Sequence, residues 1–517
     1  MNSSATGSIK YDKTVIILIL ILTFGACIFP IWSVDLPPLT DYPNHLARMY
    51  LLTQENLPAT LARYYQPYIH WQPNLAMDLI IPALAKLLPL AQAGKVFLSL
   101  TIASMVLGTV LLYFAVNRHL SPWPLLAFLF VYNRFFLWGF VNYLFSVGLA
   151  LTGAAVWMLL QGRSLWLRIP VSCGFAMAVY LGHLYAFGVY GLIVTGIWGQ
   201  AAITRFRQTR TIDFSELAAY AVQFIAPPVV FLLLSPTASG YSESYWGTLY
   251  RKIEAPFVVT FNYHLVFDIA TLLVLVALLV FGLSRRFIRL APQMYGALIM
   301  LLLAYLVMPD KLFTSYGADR RLVVPISLLI VASTEWHIPA AFWRRLLCGA
   351  GAALLLVRMS LILSQWQVSD GIYRDYIAAI DKLPIGAKLI AVTAYDFERS
   401  LPDTPLSEFA ALAVIRRQAI VPILFAYPKD VAQSLRFTAE MQTLAAEMPE
   451  HIIPLPDLER LKDPAYAATN GPYRPEALRS FDYLLLTNEK AIPLAVPAFL
   501  RPIYVGDNFR LLQVEPH

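Results

Sequence analysis

Charged residues are scarce in this chain of 517 residues, where Asp, Glu, Lys and Arg together make up 14% of the positions. Soluble domains carry roughly 25% charged residues. So few charges cannot cover a surface that faces water on all sides, which excludes a soluble globular protein. The mean hydropathy of +0.60 and the recurrence of apolar runs long enough to cross a bilayer indicate an integral membrane protein instead.

Cysteine and the common catalytic motifs are also lacking. The three cysteines, Cys27, Cys173 and Cys348, lie far apart in apolar segments, without the spacing of a zinc site, a disulfide framework or a redox motif. The sequence contains no P-loop, no glycine-rich dinucleotide fingerprint and no HExxH motif. The formal charge is +7, but no continuous basic tract or aromatic RNA-binding motif accompanies it, which argues against a nucleic-acid partner.

The positions of the basic residues predict the topology. Short Arg and Lys clusters follow every second apolar run, as the positive-inside rule requires of cytoplasmic turns. We predict about eleven transmembrane helices within residues 1–366, the first of them uncleaved and preceded by a cytoplasmic N-terminus. Residues 35–95 form a long first external segment with two amphipathic stretches, 44–55 and 75–88.

The composition changes at about residue 367. Charge rises, proline recurs, and the apolar runs shorten to the length of strands, which predicts an α/β domain over residues 367–517. Because the number of spans is odd, this domain lies on the external side. The predicted fold class is therefore an α-helical polytopic membrane protein with a C-terminal α/β soluble domain.

The first external segment opens with the sequence LPPLTDYPNHLARMYLL. Pro43 suits the first position of a helix, and Asp41 or Thr40 suits the cap before it. Helical spacing then brings His45 and Arg48 within two turns of Asp41, so an acid, an imidazole and a guanidinium lie together just above the membrane. Two interpretations remain open. In one, Asp41 only caps the helix and Arg48 only contacts lipid phosphates; in the other, the three residues belong to a substrate site.

A second candidate group lies in the external loop MPDKLFTSYGADRRLVVP. Lys311, Arg320 and Arg321 depart from the positive-inside rule there, and Asp319 is expected to pair with one of the two arginines. Adjacent arginines at the start of a span suit bidentate contacts to a phosphate group. The alternative is that they reach out to lipid headgroups.

Polar residues also occur in two other external turns. His183, in YLGHLYAFGVY, either is a hydrogen-bonded structural residue or shapes a substrate cavity. The segment YNRFFLWGFVNYLFS either lines an acceptor pocket with its asparagines, Arg134 and Tyr143, or belongs to an interfacial aromatic belt. Asp78, in the second amphipathic stretch, is expected to face solvent or headgroups.

These features resemble the GT-C superfamily of membrane glycosyltransferases, which take sugars from polyprenyl-phosphate carriers, and are similar to its bacterial protein mannosyltransferase and aminoarabinose transferase types. In that family an acidic residue opens the first external loop, followed by a helix along the membrane and a second helix that begins near a proline. Asp41 with YPNHLARMYLL matches the first part, and WQPNLAMDLIIPALAKLLPLAQAGKVFLSL, with Pro73, matches the second. The strings LPIGAKLIAV, SFDYLLLT and YVGDNFRLLQV are similar to the soluble domains of many bacterial members.

The resemblance implies an inverting transfer of a sugar on the periplasmic side of a bacterial cytoplasmic (inner) membrane. The donor would be a polyprenyl-phosphate-linked sugar, and the acceptor an unidentified glycan, lipid or protein. The resemblance gives Asp41 the role of general base. The other residues would bind substrate: Lys311, Arg320, Arg321 and Asp319 around the carrier phosphate, and His45, Arg48 and His183 around the cavity.

The resemblance also bears on cofactors. Family members that use a divalent metal carry several acids close to the loop acid, whereas Asp41 is followed by Tyr42 and has only Asp35 nearby. We therefore expect neither a metal nor another cofactor.

Two other classes of function remain. A transporter or flippase for lipid-linked substrates is disfavoured because the sequence shows no inverted repeat and its candidate charged residues cluster at the outer face. A non-catalytic membrane protein of envelope assembly needs no polar cavity and would bury Asp41 against packed leucines.

Overall fold

The structure is a computed structural model that describes residues 12–235, 244–312, 315–338, 340–395, 406, 408–427, 434–447, 452–454, 478–487, 499–507 and 509–515. Parts of three sequence predictions lie outside these residues. They are the polar stretch 1–11, Pro405 at the start of a predicted helix, and Asn508 in the predicted hairpin turn.

Helices dominate the described residues, because only intrahelical hydrogen bonds can satisfy the backbone of a chain that crosses lipid as single segments. Several of them contain proline, as membrane helices commonly do. In chain order the described helices are α1 (Lys13–Ser33), α2 (Tyr42–Thr53), α3 (Ala59–Ala62), α4 (Ala76–Ala85), α5 (Leu90–Asn117), α6 (Arg134–Trp138), α7 (Val141–Leu159), α8 (Leu165–Gly182), α9 (Leu184–Thr209), α10 (Phe214–Val222), α11 (Ala226–Leu234), α12 (Leu249–Glu254), α13 (Leu265–Ser284), α14 (Tyr295–Val307), α15 (Ala318–Arg321), α16 (Val323–Ser333), α17 (Ala341–Ile380), α18 (Leu412–Arg417) and α19 (Ala439–Glu447).

The predicted membrane spans all coincide with helical segments. Within the described ranges, 8 of them are long and apolar enough to cross a membrane by length and composition, with α10 and α11 forming one span. The third, ninth and tenth predicted spans are shorter. The third begins as a 3-10 helix, Trp123–Phe130, whose rise of about 2 Å per residue covers more depth than an α-helix of equal length.

The last span does not end where the sequence analysis divided the chain. Helix α17 runs without a break through 40 residues, about 60 Å at 1.5 Å per residue. A hydrocarbon core is only about 30 Å thick, so α17 continues well beyond it. The predicted last span and the predicted first helix of the C-terminal domain are therefore one helix, and residue 367 lies inside it.

The C-terminal region contains the predicted α/β structure. The described strands are β1 (Tyr65–Pro67), β2 (Ile288–Leu290), β3 (Lys311–Leu312), β4 (Ser315–Tyr316), β5 (Thr334–Trp336), β6 (Leu389–Tyr395), β7 (Leu435–Phe437), β8 (Ile452–Pro454), β9 (Tyr483–Thr487), β10 (Leu500–Val505) and β11 (Phe509–Val514). The C-terminal sheet has the order β10-β11-β9-β6-β8, in which β6 is parallel to both β8 and β9 while the hairpin β10–β11 adds antiparallel strands. The strands predicted at 388–393, 481–486 and 501–514 are confirmed as β6, β9 and this hairpin.

The C-terminal region packs on the first external segment. Strand β1 pairs antiparallel with β7, and the Tyr65 hydroxyl donates to the carbonyl oxygen of Val421 at 3.0 Å. Helix α2 lies beneath this contact, and residues 42–49 are all buried. The resemblance implied a helix lying along the membrane, but α2 is covered on nearly every side by protein.

Candidate functional site

The backbone of Asp41 is held by the turn that precedes α7. The Asp41 N–H donates to the carbonyl oxygen of Trp138 at 2.9 Å, and the Thr40 N–H donates to that of Leu137 at 2.9 Å. Gly139 follows in the left-handed region with φ of +95°, and a Cβ atom added to it would lie 2.9 Å from Cβ of Asp41. Two segments that are distant in the sequence thus fix the position of Asp41.

The carboxylate of Asp41 does not cap α2. Asp41 precedes the helix with φ of −84° and ψ of −7°, and its side chain makes no capping hydrogen bond. A side-chain cap normally requires extended backbone at this position. Capping therefore does not explain Asp41. The residue is partly exposed, which also differs from the burial among leucines expected of a scaffold.

Arg321 provides a positive charge that acts on Asp41. Its guanidinium carbon lies 4.5 Å from the ring centre of Phe140, 4.8 Å from that of Tyr185 and 5.9 Å from that of Tyr143. Such cation–π contacts stabilise a guanidinium that has lost water. Burial lowers the pKa of Arg321, and the charge of Asp41 acts in the opposite direction. An arginine remains charged in proteins, so the site contains a buried cation whose charge acts on Asp41.

The orientation of the Arg321 side chain is set by the β3–β4 hairpin. One Arg321 nitrogen donates to Oγ of Ser315 at 2.7 Å and to the carbonyl oxygen of Tyr316 at 2.9 Å. Within the described part of the chain, Nε of Arg321 has no hydrogen-bond partner. Because arginine only donates hydrogen bonds, this buried N–H suits an oxygen of a bound anion.

His183 lies beside the same arginine. Its ring centre is 5.3 Å from that of Tyr143 and 5.8 Å from that of Tyr185. Nδ1 accepts the N–H of Tyr185 at 3.2 Å and so caps α9. Burial, together with the charge of Arg321, lowers the pKa of His183 well below its usual value, so the ring is neutral at pH 7. His183 therefore has a structural role and also borders the site.

The second external polar cluster divides between structure and site. The Tyr143 hydroxyl donates to the carbonyl oxygen of Arg321 at 2.6 Å and so belongs to the site. Asn133 caps α6 by accepting the N–H of Phe136 at 3.1 Å. Asn142 accepts the N–H of Met77 at 2.8 Å, which ties α7 to α4.

His45 connects α2 with the turn that supports Asp41. Its ring is buried, forms a hydrogen bond to the backbone of Gly139, and lies 5.5 Å from the ring centre of Phe425. Burial and the charge of Arg48 lower the pKa of His45 well below its usual value. A neutral imidazole at this position supports the loop acid through the shared turn.

Arg48 is a structural residue in this fold. Its Nε donates to Oδ1 of Asp78 at 3.0 Å, and the two side chains are 0% and 1% exposed. The other oxygen of Asp78 accepts the Ser434 hydroxyl at 2.9 Å. The expectation that Asp78 faces solvent or headgroups is wrong, because it neutralises Arg48 inside the protein. The resemblance implied that Arg48 shapes the substrate cavity; in this structure its side chain is fully buried against Asp78.

The external loop that ends in the two arginines carries a network of charges. Asp310 accepts hydrogen bonds from Arg251 at 2.9 Å and from Arg320 at 3.0 Å. Asp319 forms its ion pair with Lys252 at 3.0 Å, so the expected pairing of Asp319 with one of the arginines is wrong. The carboxylate of Asp319 still contacts Arg320, since its Oδ1 accepts the backbone N–H of Arg320 at 2.7 Å.

This network has an excess of positive charge. The five cations Arg251, Lys252, Lys311, Arg320 and Arg321 accompany two carboxylates, those of Asp310 and Asp319. Lys311 lies in β3, where its backbone pairs with Tyr245 at 3.0 Å in both directions. Of these cations, Arg321 interacts electrostatically with Asp41, whereas Arg320 is engaged by Asp310.

The sequence analysis missed the role of Asn44. Its amide nitrogen donates to Oε2 of Glu408 at 2.7 Å and to the carbonyl oxygen of Ile423 at 2.9 Å. Its amide oxygen accepts the N–H of Phe425 at 2.9 Å. A fully buried asparagine three residues after Asp41 therefore links α2 to the C-terminal domain. An asparagine on an apolar helix face is a signal for such a partner, but the sequence does not name it.

No group of three or more His, Cys, Asp or Glu side chains in the described ranges is arranged to hold a metal ion. Asp41 is accompanied by an arginine where a metal site would need further oxygen or nitrogen ligands. The residues present suit an anion rather than a cation beside the loop acid.

Comparison with known proteins identifies the fold. No protein-family model and no curated protein matches the chain. The structure is similar to the crystal structure of ArnT from Cupriavidus metallidurans bound to undecaprenyl phosphate, at 11% identity and a TM-score of 0.50, over 97% of this chain and 98% of that one. At this identity the likeness shows the fold alone: the chain is a polytopic membrane protein with the GT-C-like fold that the sequence predicted.

Proposed function

We propose that this protein is a membrane glycosyltransferase that moves a sugar from a polyprenyl-phosphate donor to a hydroxyl group of a cell-envelope acceptor. The observation that carries the proposal is the electrostatic interaction of the buried Arg321 with Asp41. A carboxylate that does not cap its helix lies in the field of a buried guanidinium with an unpartnered N–H. The lipid found with ArnT, undecaprenyl phosphate, supports the choice of carrier.

In the proposed reaction, Asp41 acts as the general base for the acceptor hydroxyl. The acceptor oxygen attacks the anomeric carbon, its proton passes to the carboxylate of Asp41, and the bond from the anomeric carbon to the phosphate oxygen breaks. Attack from the side opposite the leaving group inverts the anomeric configuration. A positioned base of this kind contributes about 10²–10⁴-fold to the rate.

The leaving group in this reaction is the carrier phosphate. Negative charge grows on it as the glycosidic bond breaks, and fixed cations stabilise that charge most where water is excluded. Arg321 is the first candidate, because its guanidinium is buried and partly unpaired within the described residues. Arg320 and Lys311 would join it when Asp310 and its arginines rearrange around a bound phosphate.

The location of the reaction follows from the topology that the sequence predicts. The loop acid, the arginine loop and the C-terminal domain occupy the external side under the positive-inside rule. We place the reaction at the periplasmic face of a bacterial cytoplasmic membrane and expect it to need neither metal nor cofactor. The C-terminal domain, through Asn44, would fix the angle of the helix that follows the base.

A transfer assay tests this proposal. Purified protein in lipid is given a panel of labelled polyprenyl-phosphate sugars, with wild type compared with Asp41→Asn and with Asp35→Asn. Asp35 is the matched control, because it is the neighbouring acid of the same segment and is exposed. We expect Asp41→Asn to lose at least about 100-fold in transfer or donor hydrolysis, and Asp35→Asn to retain activity.

Other outcomes are equally informative. Full activity of a folded Asp41→Asn variant would show that Asp41 is not the general base. Loss of activity on chelation would contradict the expected independence of metal. Binding of the carrier without turnover of any donor, together with movement of the carrier between leaflets, would favour a flippase.

A further inference from the structure

A cavity of about 520 Å³ lies at the other end of the helix bundle from Asp41. Helix α7 begins at Val141, beside the turn that holds Asp41, and ends at Leu159. The cavity is lined by Trp157 and Met158 in the last turn of α7 and by Gln161 just after it. At 1.5 Å per residue, the 19 residues of α7 separate the two sites by about 28 Å. The cavity is thus distinct from the candidate catalytic site and lies near the opposite membrane surface.

The acidic residues in the cavity wall are already neutralised. Asp213 pairs with Arg205 at 2.5 Å, and Glu216 receives two hydrogen bonds from Arg168 at 2.6 and 2.7 Å. Hydrogen bonds from Ser215 and from the backbone of Glu216, with the charge of Arg205, lower the pKa of Asp213 to about 2. Both carboxylates are therefore matched by their own arginines.

Two donors in the same wall are not matched. Arg118 lines the cavity, is exposed, and makes no side-chain hydrogen bond or ion pair with any other described residue. Trp157 is only 1% exposed, and its indole N–H has no acceptor in the part of the chain that the structure describes. An indole N–H and a guanidinium can only donate hydrogen bonds. These two donors therefore suit a ligand with an anionic group that has several acceptor oxygens.

Much of the remaining wall is apolar. Met158, Val116, Ile197 and Ile212 line the cavity together with the ring of Trp198. A volume of several hundred cubic ångströms with mostly apolar walls and a few convergent polar groups is typical of a ligand site. Here the ligand must combine an anionic head with a hydrocarbon body, and it must reach a cavity at the membrane surface.

We propose that this cavity binds the headgroup of an acidic glycerophospholipid. Its phosphate accepts hydrogen bonds from Arg118 and Trp157, and its glycerol and upper acyl chains lie against the apolar wall. Arg205 is paired with Asp213, and Glu216 with Arg168, so Arg118 is the unmatched charge among the described lining residues. Its charge favours an acidic lipid over a zwitterionic one, because an ethanolamine or choline group would bring a second cation next to Arg118. The site is independent of the proposed sugar transfer.

Lipid retention measured by native mass spectrometry tests the proposal on the full-length protein. Delipidated wild type is titrated with phosphatidylglycerol and, separately, with phosphatidylethanolamine of the same acyl chains. We expect one phosphatidylglycerol to bind roughly tenfold more tightly to wild type than to Arg118→Gln, and roughly fivefold more tightly than to Trp157→Phe, which removes only the N–H. Arg163→Gln is the matched control, since Arg163 is exposed near the same end of α7 and is outside the cavity lining.

Several results would overturn the proposal. Equal retention of the two lipids would show that the cavity does not select an acidic lipid. Equal affinity of wild type and Arg118→Gln for phosphatidylglycerol would show that Arg118 does not bind its phosphate. Competition by inorganic phosphate or by polyprenyl phosphate at the same concentration as phosphatidylglycerol would assign the cavity to another ligand. An equal loss of affinity for phosphatidylglycerol in Arg163→Gln would show that the effect arises from surface charge and not from the cavity.

Discussion

Gly139 packs directly against Asp41, so that a Cβ atom on Gly139 would lie 2.9 Å from Cβ and 3.0 Å from the backbone nitrogen of Asp41. Real Cβ atoms do not approach other atoms so closely without a shift of the backbone. The turn after α6 and the start of α2 are therefore shaped to each other. The position of the candidate base depends on a residue with no side chain.

Gly139→Ala is expected to displace Asp41. Overpacking costs about 1–3 kcal/mol, and a left-handed alanine costs about 1–2 kcal/mol more. We expect a loss of thermal stability together with a reduction of about tenfold or more in transfer rate. Gly162→Ala is the control, since Gly162 has φ of +77° but nothing within 4 Å of an added Cβ. It shares the backbone strain without the contact, so an equal loss of activity in both variants would contradict the steric explanation.

Replacing Arg321 is expected to weaken binding of the carrier. A charge-assisted hydrogen bond contributes about 1.5–3 kcal/mol, so Arg321→Met, which keeps a chain between the three rings, should bind polyprenyl phosphate about 10–100-fold more weakly. Arg320→Met is the neighbouring comparison and should lose less, because Asp310 already engages Arg320. The measurement is carrier binding in nanodiscs. A larger loss from Arg320→Met would exchange the roles of the two arginines.

Asn44→Ala is expected to loosen the helix that carries the site. The variant loses three hydrogen bonds to the C-terminal domain and leaves the Phe425 N–H without its acceptor, at a cost of about 2 kcal/mol. We expect a lower kcat with little change in KM, and faster amide exchange in residues 42–53. Arg63→Ala serves as the control, because the Arg63–Glu440 pair joins the same two parts of the chain at the surface, where ion pairs contribute less than about 1 kcal/mol. Equal amide exchange in residues 42–53 of both variants would contradict a positioning role for Asn44.

The Arg48–Asp78 pair is expected to act on stability rather than on substrate binding. Removing one partner of a buried ion pair leaves an uncompensated charge and costs about 3–5 kcal/mol. Arg48→Met and Asp78→Leu should each lower the thermal unfolding temperature strongly, and the double variant should recover much of that loss. Thermal unfolding in detergent measures this cycle. Additive losses in the double variant would contradict a direct pair, and a changed affinity for donor in stable Arg48→Met would return Arg48 to the substrate site.

The two buried histidines are expected to make the protein less stable in mild acid. Their folded pKa values lie below the ordinary value, so between those values and about pH 6.5 the unfolded chain binds more protons than the folded chain. Their stabilising effect is therefore complete above about pH 6.5 and is lost as pH falls below it, by at most about 1.4 kcal/mol per pH unit for each histidine. Thermal unfolding between pH 7.5 and 5.5 measures the slope. The dependence of the unfolding temperature on pH should become weaker in His45→Gln. It should stay unchanged in His70→Gln, since His70 is exposed. An unchanged dependence in His45→Gln would contradict the role given to His45.

The sequence by itself determined the membrane fold. Apolar runs of fixed length and the placement of Arg and Lys follow from the thickness and charge of a bilayer, which act on each segment separately. For that reason the spans, the two helices of the first external segment and the strands of the C-terminal domain could be predicted without a structure. The sequence predicted two helices where α17 is one, because its outer half is amphipathic and composition alone cannot show that a helix continues from lipid into protein.

The tertiary structure decided what each polar residue does. Spacing placed Asp41, His45 and Arg48 on one helix, but it could not show that Arg48 turns inward to Asp78 while Asp41 faces the charge of Arg321. Nor could it show that Asn44 meets Glu408, or that the turn at Gly139 supports Asp41. Buried charges and amides are stable only when partners neutralise or hydrogen-bond them, and those partners come from distant parts of the chain that only folding brings together.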